Sequence, residues 1–509
     1  MQFFADRELN KIRPLVKTTQ GVIFMGKRLV GLICVFSVIF TGLAGRCAYI
    51  TFANAYKVSG SYNSYTLKIG TLYTNIYDRA GRKINNNGKK YVAVIRPNEK
   101  CLNELEKLFT AEESAEIADE LSQGYPVLRE VDKKVNTQYI KIFDKISDNE
   151  AIAKHLLKKE YGGIEQYTSK ELGSLSVNFS VDAVGRLLTG DDGTVVNDNY
   201  DSNDGIIISI DSQIQKIAEE ASKSLPKGAV VIMDTESSQV LASVSRGNDY
   251  VNRALSPYAV GSVFKLIVSA CALENNIHPL YNCTSKIKVS DTVFHCQKDK
   301  SHGLQTMKQA LANSCNCYFV NLALKLSGEK LVKTANDFGF GKAFDIYENW
   351  TAKAGTFPTK SEISSPGQLA LIGFGQGKLT DSPMHFASAV SCIANGGNYL
   401  TPTLDINDIQ ENKIISEKTA KTLREYMRYV VTNGTGSLAE YNNQSAGKTA
   451  TAQSGIYNNG IEVLNTWFTG FYPYQNPKYA IVIMREDGES GAGDCCPIFR
   501  TIVEKLDKM

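Results

Sequence analysis

This sequence has few histidines, little net charge and no glycine loop with the pattern of a nucleotide-binding site. Its five histidines offer no convincing Ser-His-Asp set, and no Gly-x-Ser-x-Gly turn is present around a candidate serine. The formal net charge of +3 is spread over 509 residues, so nucleic acid is not an expected partner. The segment "GFGQG" at 373–377 lacks the Lys-Ser/Thr of a phosphate-binding loop. Histidine-based serine hydrolysis and nucleotide binding are therefore disfavoured.

Cysteine is plentiful, but it lacks the spacing of a metal site. Cys315 and Cys317 are one residue apart, and residues 495–496 are adjacent cysteines, so neither pair has zinc-site spacing and no metal or cofactor is expected. The total of eleven is odd, which leaves at least one thiol unpaired. Cys283 and Cys296 flank a predicted hairpin and form the best candidate disulfide pair.

One apolar run lies near the N-terminus. Residues 29–45 carry no charge and follow six basic residues, which predicts a cytoplasmic segment at 1–28 and a transmembrane anchor at 29–52, with the remainder outside the membrane. A cleaved signal peptide is the alternative, since Ala53-Asn54-Ala55 has the small-x-small form. Arg46 separates the apolar run from that tripeptide, which favours the uncleaved anchor.

The rest of the chain changes composition near residue 205. Residues 53–204 are polar, with short alternating segments and a Glu-rich helical piece at 103–122, and they are predicted to form a mixed domain. Residues 205–509 read as an enzyme domain of the α+β class. The predicted elements there are a strand at 206–211, a helix at 213–225, a hairpin of strands at 228–234 and 239–245, a long helical region, and two strands at 465–473 and 479–486.

A Ser-x-x-Lys pair opens the helical region. In a helix that begins near Ser262, residues three apart share one face, so the Ser262 hydroxyl and the Lys265 amine can meet. Such a pair is common by chance. On its own, the start of a buried helix is the simpler interpretation.

Two later motifs complete an ordered set. Ser314-Cys315-Asn316 follows the first pair, and Lys448-Thr449-Ala450-Thr451 comes much later. Taken singly, Ser314 is explained as a helix cap, Asn316 as a turn residue and Lys448 as a solvated charge. The order Ser-x-x-Lys, Ser-x-Asn, Lys-Thr-x-Thr is the signature of penicillin-interacting serine enzymes and is far more specific than any one member.

With these motifs the chain resembles a class B penicillin-binding protein, a membrane-anchored peptidoglycan D,D-transpeptidase. The resemblance implies an antiparallel sheet flanked by helices with a helical subdomain at 205–509, and a pedestal domain at 53–204. It also implies peptidoglycan stem peptides and β-lactams as ligands, and a polytopic membrane glycosyltransferase as partner. Supporting segments in family order are "NIYDRAG" at 75–81, "SIDSQIQ" at 209–215, "FGFG" at 338–341 and "WFTGFYP" at 467–473.

The resemblance also implies the steps of acylation. Ser262 would attack a D-Ala-D-Ala carbonyl and release D-alanine, and Lys265 would act as its base if burial or nearby positive charge lowers its pKa. Lys448 would supply such a charge. The backbone amides of Ser262 and Thr451 would bind the oxyanion.

Substrate recognition and proton transfer are implied in the same way. Ser314 would pass a proton to the leaving nitrogen, and Asn316 would hold the substrate amide. Thr449 and Thr451, which alternate onto one face of a strand, would bind the terminal carboxylate beside Lys448. Ala450 stands where family members usually have glycine, and its methyl group is expected to reduce affinity for some β-lactams.

Two other functions stay open. A β-lactamase shares the nucleophile chemistry, but it needs neither anchor nor pedestal, and no Glu-x-x-Leu-Asn run lies between Ser314 and Lys448. The second alternative is a scaffold that activates a glycosyltransferase, and only a measurement of transpeptidase activity would separate it from an enzyme. The motifs do not separate elongation, division and sporulation roles.

Overall fold

A computed structural model describes residues 29–49, 63–148, 152–182, 185–188, 190–408 and 410–509. The chain forms two compact units. Of the described residues, those up to 70 together with those in 91–143 and 175–197 form one unit, and those in 71–90, 144–174 and 198–509 form the other. All the motif residues lie in the second unit.

An isolated apolar helix comes first. Helix Leu29–Tyr49 has 21 residues and a mean hydropathy of 2.0, so it is long and apolar enough to cross a membrane once. Residues 50–52 of the predicted anchor, the predicted cytoplasmic segment at 1–28 and the tripeptide at 53–55 lie outside the described residues.

Two small sheets have most of their residues in the first unit. Thr110 and Glu113 form a reciprocal capping box, which is why the longer helix of the Glu-rich segment begins at Ala111 and runs to Leu121. This helix packs Ile117 and Leu121 on the central strand of one sheet. One sheet contains Ser64–Tyr73, Glu171–Ser180 and Thr194–Asp198, and the other contains Val127–Val131, Gly88–Ile95 and Lys141–Ser147. Shorter helical pieces are Glu99–Leu102 and Leu105–Lys107.

A five-stranded antiparallel sheet is the centre of the second unit. Its spatial order is Val240–Arg246, Gly228–Asp234, Tyr479–Arg485, Ile461–Tyr472 and Ala446–Asn458. The strand Gly228–Asp234 is apolar on both faces because helices cover both. Val231 and Met233 face one core with helix Pro383–Ala394, whereas Val230 and Ile232 face another with helix Cys496–Leu506.

Helices form most of the remainder of this unit. Side chains of Thr306, Ser365, Ser382 and Ser416 cap four of them by accepting hydrogen bonds from backbone N–H groups. The α+β class, the antiparallel sheet and the helical subdomain predicted from the sequence are confirmed. The helices are Lys154–Leu157, Glu165–Thr168, Ser212–Ala221, Lys265–Glu274, Met307–Ala312, Asn316–Leu326, Gly328–Asp337, Pro366–Gly373, Pro383–Ala394, Glu417–Asn433, Gly491–Asp494 and Cys496–Leu506.

The predicted strand at 206–211 is only partly correct. Gly205–Ile207 pairs in parallel with Asn75–Tyr77, and the strand ends there. Ile208 forms an isolated bridge with Asp405, and Asp211 then caps helix Ser212–Ala221. Short antiparallel pairs complete the unit: Tyr258–Ala259 with Thr380–Asp381, Tyr281–Cys283 with Gly303–Gln305, Lys286–Val289 with Thr292–His295, and Phe344–Tyr347 with Trp350–Ala352.

Candidate active site

Ser262 lies at the floor of an open cleft of about 310 Å³. It belongs to a tight 3-10 turn, Gly261–Phe264, which continues directly into helix Lys265–Glu274. Gly261 has φ +59°, and a Cβ there would lie 2.8 Å from the Cβ of Ala452. Glycine at this position therefore allows the turn to approach strand Ala446–Asn458 closely.

Lys265 is fully buried beneath the cleft. Its Nζ donates to the Ser314 carbonyl at 2.8 Å and to Asn316 Oδ1 at 2.8 Å, and lies 3.3 Å from Ser314 Oγ. The described hydrogen bonds of this amine thus go to the Ser-x-Asn motif, and the expected direct contact with Ser262 is not among them. Burial lowers the pKa of Lys265 to about 8, although neighbouring thiols act in the opposite direction.

Ser314 and Asn316 hold their positions through the backbone of the same turn. Ser314 has φ +52°, an unusual conformation for a residue with a side chain, and it is Cys315 whose side chain caps helix Asn316–Leu326. Asn316 is the first residue of that helix, and its Nδ2 donates to the His295 carbonyl at 3.0 Å. Ser314 is therefore not the cap of this helix, and Asn316 lies in the helix rather than in a turn.

Lys448 reaches the same hydroxyl from the opposite side. Its fully buried Nζ donates to Ser314 Oγ at 3.1 Å and to the Thr449 carbonyl at 2.8 Å. Burial, followed by the positive charge of Lys265, lowers the pKa of Lys448 well below its usual range. The interpretation of Lys448 as a solvated surface charge is therefore wrong.

The Lys-Thr-x-Thr strand forms one wall of the cleft. Thr449, Ala450 and Thr451 line it together with Ser262, and the strand lies at the edge of the central sheet. Ala450 is only 3% exposed and lies opposite Trp467 on the neighbouring strand, so little of the residue is accessible to solvent. Thr435, which the sequence analysis missed, also lines the cleft, and its Oγ1 lies 2.6 Å from Thr449 Oγ1.

A cluster of thiols lies behind the Ser-x-Asn motif. The predicted hairpin between Cys283 and Cys296 is confirmed, and their sulfurs come within 3.6 Å, yet both are free thiols. The Cys296 sulfur also lies 3.6 Å from that of Cys315 and 3.5 Å from that of Cys317. Cys296 therefore has three cysteine neighbours at similar distances, and Cys283, its predicted disulfide partner, is one of these three.

Four residues of this region could hold a metal ion. The ligand atoms of Cys283, Cys296, His302 and Cys315 all lie within 4.8 Å of one another, and Cys283 Sγ is 3.5 Å from His302 Nδ1. A tetrahedral zinc ion with bonds of about 2.0 to 2.3 Å separates its ligands by about 3.5 to 3.8 Å, so this donor set fits zinc. Spacing between neighbours in the sequence did not reveal the set because its ligands come from separate segments.

Comparison with known proteins identifies the family. The family model "Penicillin binding protein transpeptidase domain" matches residues 228–504, more than half of the chain. The chain belongs to this family, and it carries the serine-enzyme motifs in the order described above.

Curated relatives agree with this assignment. The chain is 31% identical over 367 residues to stage V sporulation protein D of Bacillus subtilis, covering 63% of this chain and 55% of the relative. It is 27% identical over 370 residues to peptidoglycan D,D-transpeptidase MrdA of Haemophilus influenzae, covering 59% of this chain and 56% of the relative. The chain thus spans about half the length of the curated relatives it matches.

Solved structures share the fold over a longer range. Penicillin-binding protein PBP2 of Helicobacter pylori aligns with a TM-score of 0.63 at 21% identity, covering 88% of this chain and 100% of the other. A chain of a peptidoglycan synthase complex aligns with a TM-score of 0.64 at 22% identity, covering 94% and 97%. At this level of identity, the likeness supports the fold.

Proposed function

We propose that this chain is a peptidoglycan D,D-transpeptidase that cross-links stem peptides through an acyl-enzyme on Ser262. One observation carries the proposal beyond family membership. The Ser314 hydroxyl lies between two fully buried lysine amines, 3.3 Å from Lys265 Nζ and 3.1 Å from Lys448 Nζ, in the cleft that Ser262 lines. Such a chain of titratable groups beside a serine is what proton transfer during acyl transfer requires.

Acylation begins with deprotonation of the serine. Two ammonium groups close to one hydroxyl repel each other, which favours a neutral amine on one of them. Lys265 in its neutral form takes the Ser262 proton, and Oγ attacks the carbonyl carbon of the penultimate D-alanine. The backbone N–H groups of Ser262 and Thr451 stabilise the resulting oxyanion.

Collapse of the tetrahedral intermediate breaks the peptide bond. Ser314 donates a proton to the leaving nitrogen and regains one from Lys448, so free D-alanine departs and an ester remains on Ser262. An amine of a second stem peptide then attacks this ester and forms the cross-linking amide. The proton that this amine loses passes through Ser314 to Lys448, and Lys265 returns its proton to Ser262 Oγ, so both lysines and the serine are restored. Thr449 and Thr451 hold the donor's terminal carboxylate, and Asn316 orients Lys265 and the substrate amide.

The same chemistry explains covalent binding of β-lactams. Ser262 opens the four-membered ring amide, but the leaving nitrogen stays tethered to the acyl group. It therefore continues to occupy the place that an acceptor amine or water needs, and the ester persists. No cofactor takes part in these steps.

We also propose the placement and partners of the chain. Residues 1–28 lie in the cytoplasm, 29–52 anchor the chain, 53–204 form the pedestal and 205–509 form the extracytoplasmic transpeptidase domain. The basic residues before the apolar helix support this orientation. A reporter that is active only outside the cytoplasm, fused after residue 60, is expected to be active.

A polytopic membrane glycosyltransferase is the proposed partner. One structural neighbour is described as part of a peptidoglycan synthase complex that coordinates polymerization and crosslinking. Another is PBP2 of Helicobacter pylori in complex with MreC. These descriptions concern those proteins, and they support an assembly of the same kind here.

The proposed reaction is tested by its two products. Full-length protein in detergent is incubated with pentapeptide-bearing peptidoglycan strands, and free D-alanine and cross-linked dimers are quantified. We expect both from the wild type, neither from Ser262→Ala, and both from Ser437→Ala, which removes an exposed serine hydroxyl. Turnover of penicillin without dimers would indicate a β-lactamase, and absence of both products with substrate bound would indicate a scaffold.

A further inference from the structure

Thr435 connects two of the motifs around the cleft. It lies in the Gly-Thr-Gly turn, residues 434–436, which follows helix Glu417–Asn433. Its hydroxyl lies 2.6 Å from the hydroxyl of Thr449, and the residue is exposed to the cleft. None of the steps described above uses this hydroxyl.

The Gly-Thr-Gly turn is held firmly by its backbone. The amides of Gly434 and Gly436 both donate to the Val430 carbonyl at 3.1 Å, and the amide of Thr435 donates to the Ala312 carbonyl at 3.1 Å. A Cβ at Gly434 would lie 2.4 Å from the Ala312 carbonyl oxygen, so this close approach requires glycine. The turn is thereby fixed to the residue two positions before Ser314, and the Thr435 hydroxyl has a defined place.

The short contact between the two hydroxyls limits where their protons can point. Each hydroxyl has one proton to donate and lone pairs to accept. When Thr449 donates its proton to an anionic ligand, it can only accept from Thr435, and Thr435 must donate. This arrangement polarises the Thr449 hydroxyl toward a negative charge, because consecutive hydrogen bonds strengthen one another.

We propose that Thr435 is a positioning residue for recognition of the donor's terminal carboxylate, acting through the hydroxyl of Thr449. The inference rests on the proposed function, in which Thr449 binds that carboxylate. The proposal adds Thr435, which lies outside the three motifs, to the residues that recognise the donor. It also states which part of the donor Thr435 affects, namely the terminal carboxylate rather than the acyl group.

The test compares acyl donors that differ only in the carboxylate. An N-acyl-D-alanyl thioester of thioglycolic acid carries the anion, and its methyl ester carries none. We expect Thr435→Val to lower kcat/KM for the acid donor by about tenfold and for the ester by less than about twofold, since one charge-assisted hydrogen-bond network is weakened. Thr435→Ser keeps the hydroxyl and should restore the acid donor's kcat/KM.

Thr432→Val is the matched control. Thr432 is an exposed threonine three residues earlier, and its hydroxyl bonds to Arg428 and Asn433 at the helix end rather than facing the cleft. It should leave both donors unchanged. Thermal unfolding of each variant identifies any general loss of stability.

Three results would overturn the proposal: equal losses for acid and ester donors, no loss for either, or no rescue by Thr435→Ser. Equal losses would indicate a structural role for the turn. A wild type that reacts with neither donor would instead contradict the proposed function, so the two failures are distinguishable.

Discussion

Lys265 and Lys448 share one hydroxyl, with their Nζ atoms 3.3 and 3.1 Å from Ser314 Oγ. Both amines are fully buried, and burial lowers the pKa of each. Deprotonation of one lysine is therefore much easier here than in water, which is the condition that the proposed acylation requires.

Acylation should depend on pH through Lys265. Its pKa is lowered to about 8, so the neutral base becomes populated as the pH rises through that value. Burial favours the neutral form, whereas the thiols of Cys296, Cys315 and Cys317 oppose it. We expect the second-order rate constant for acylation by a penicillin to rise between about pH 7 and pH 9 and then level off. A flat profile over this range would contradict the role of Lys265 as the base.

Lys448→Met should separate catalysis from stability. The substitution removes a proton donor from Ser314, and we expect acylation to slow by about 10²-fold or more. It also replaces a fully buried amine, whose charged form is disfavoured there, by an apolar side chain of similar volume, so thermal stability should be unchanged or higher. A variant that loses stability but keeps its acylation rate would refute this account.

The thiol cluster should bind zinc. We expect full-length protein purified under reducing conditions without chelators to contain about one zinc ion per chain, because four ligand atoms lie within 4.8 Å of one another and three of their separations are 3.5 to 3.6 Å. Cys283→Ser should lose the metal, whereas Cys392→Ser, at a buried cysteine outside the cluster, should keep it. Mass spectrometry of peptides from native protein tests the alternative, a disulfide at Cys296. Such a disulfide, together with absence of zinc, would rule the metal site out.

Much of the fold could be predicted from the sequence because its central strands are continuous apolar runs. The predicted strand at 228–234 coincides with the observed strand, because a short apolar run between turn signals is typical of a buried strand, and six of its seven residues are buried. The predicted strand at 206–211 is too long, because the chain leaves its parallel partner after Ile207 and Asp211 already caps the next helix, which the apolar neighbours do not reveal. Boundaries of this kind depend on one side-chain hydrogen bond.

Of the candidate site, only the residues of the three motifs could be predicted from the sequence. Ser262, Ser314 and Lys448 were named by their order in the chain, and the structure brings them to one cleft or directly beneath it. The partner of Lys265 could not be read from helical spacing, because its amine turns toward Ser314 and Asn316. Thr435 and the thiol cluster were missed because their contacts join segments far apart in sequence. The effect of Ala450 on β-lactam affinity stays a prediction.

The most direct test of the central claim is covalent labelling of Ser262. Full-length wild type, Ser262→Ala and the control Ser437→Ala are incubated with a fluorescent penicillin, separated on a denaturing gel and analysed by mass spectrometry. The proposed mechanism predicts a labelled band for the wild type and the control, an adduct on the peptide containing Ser262, and no label on Ser262→Ala. Label that persists in Ser262→Ala, or an adduct on another serine of the wild type, would contradict it.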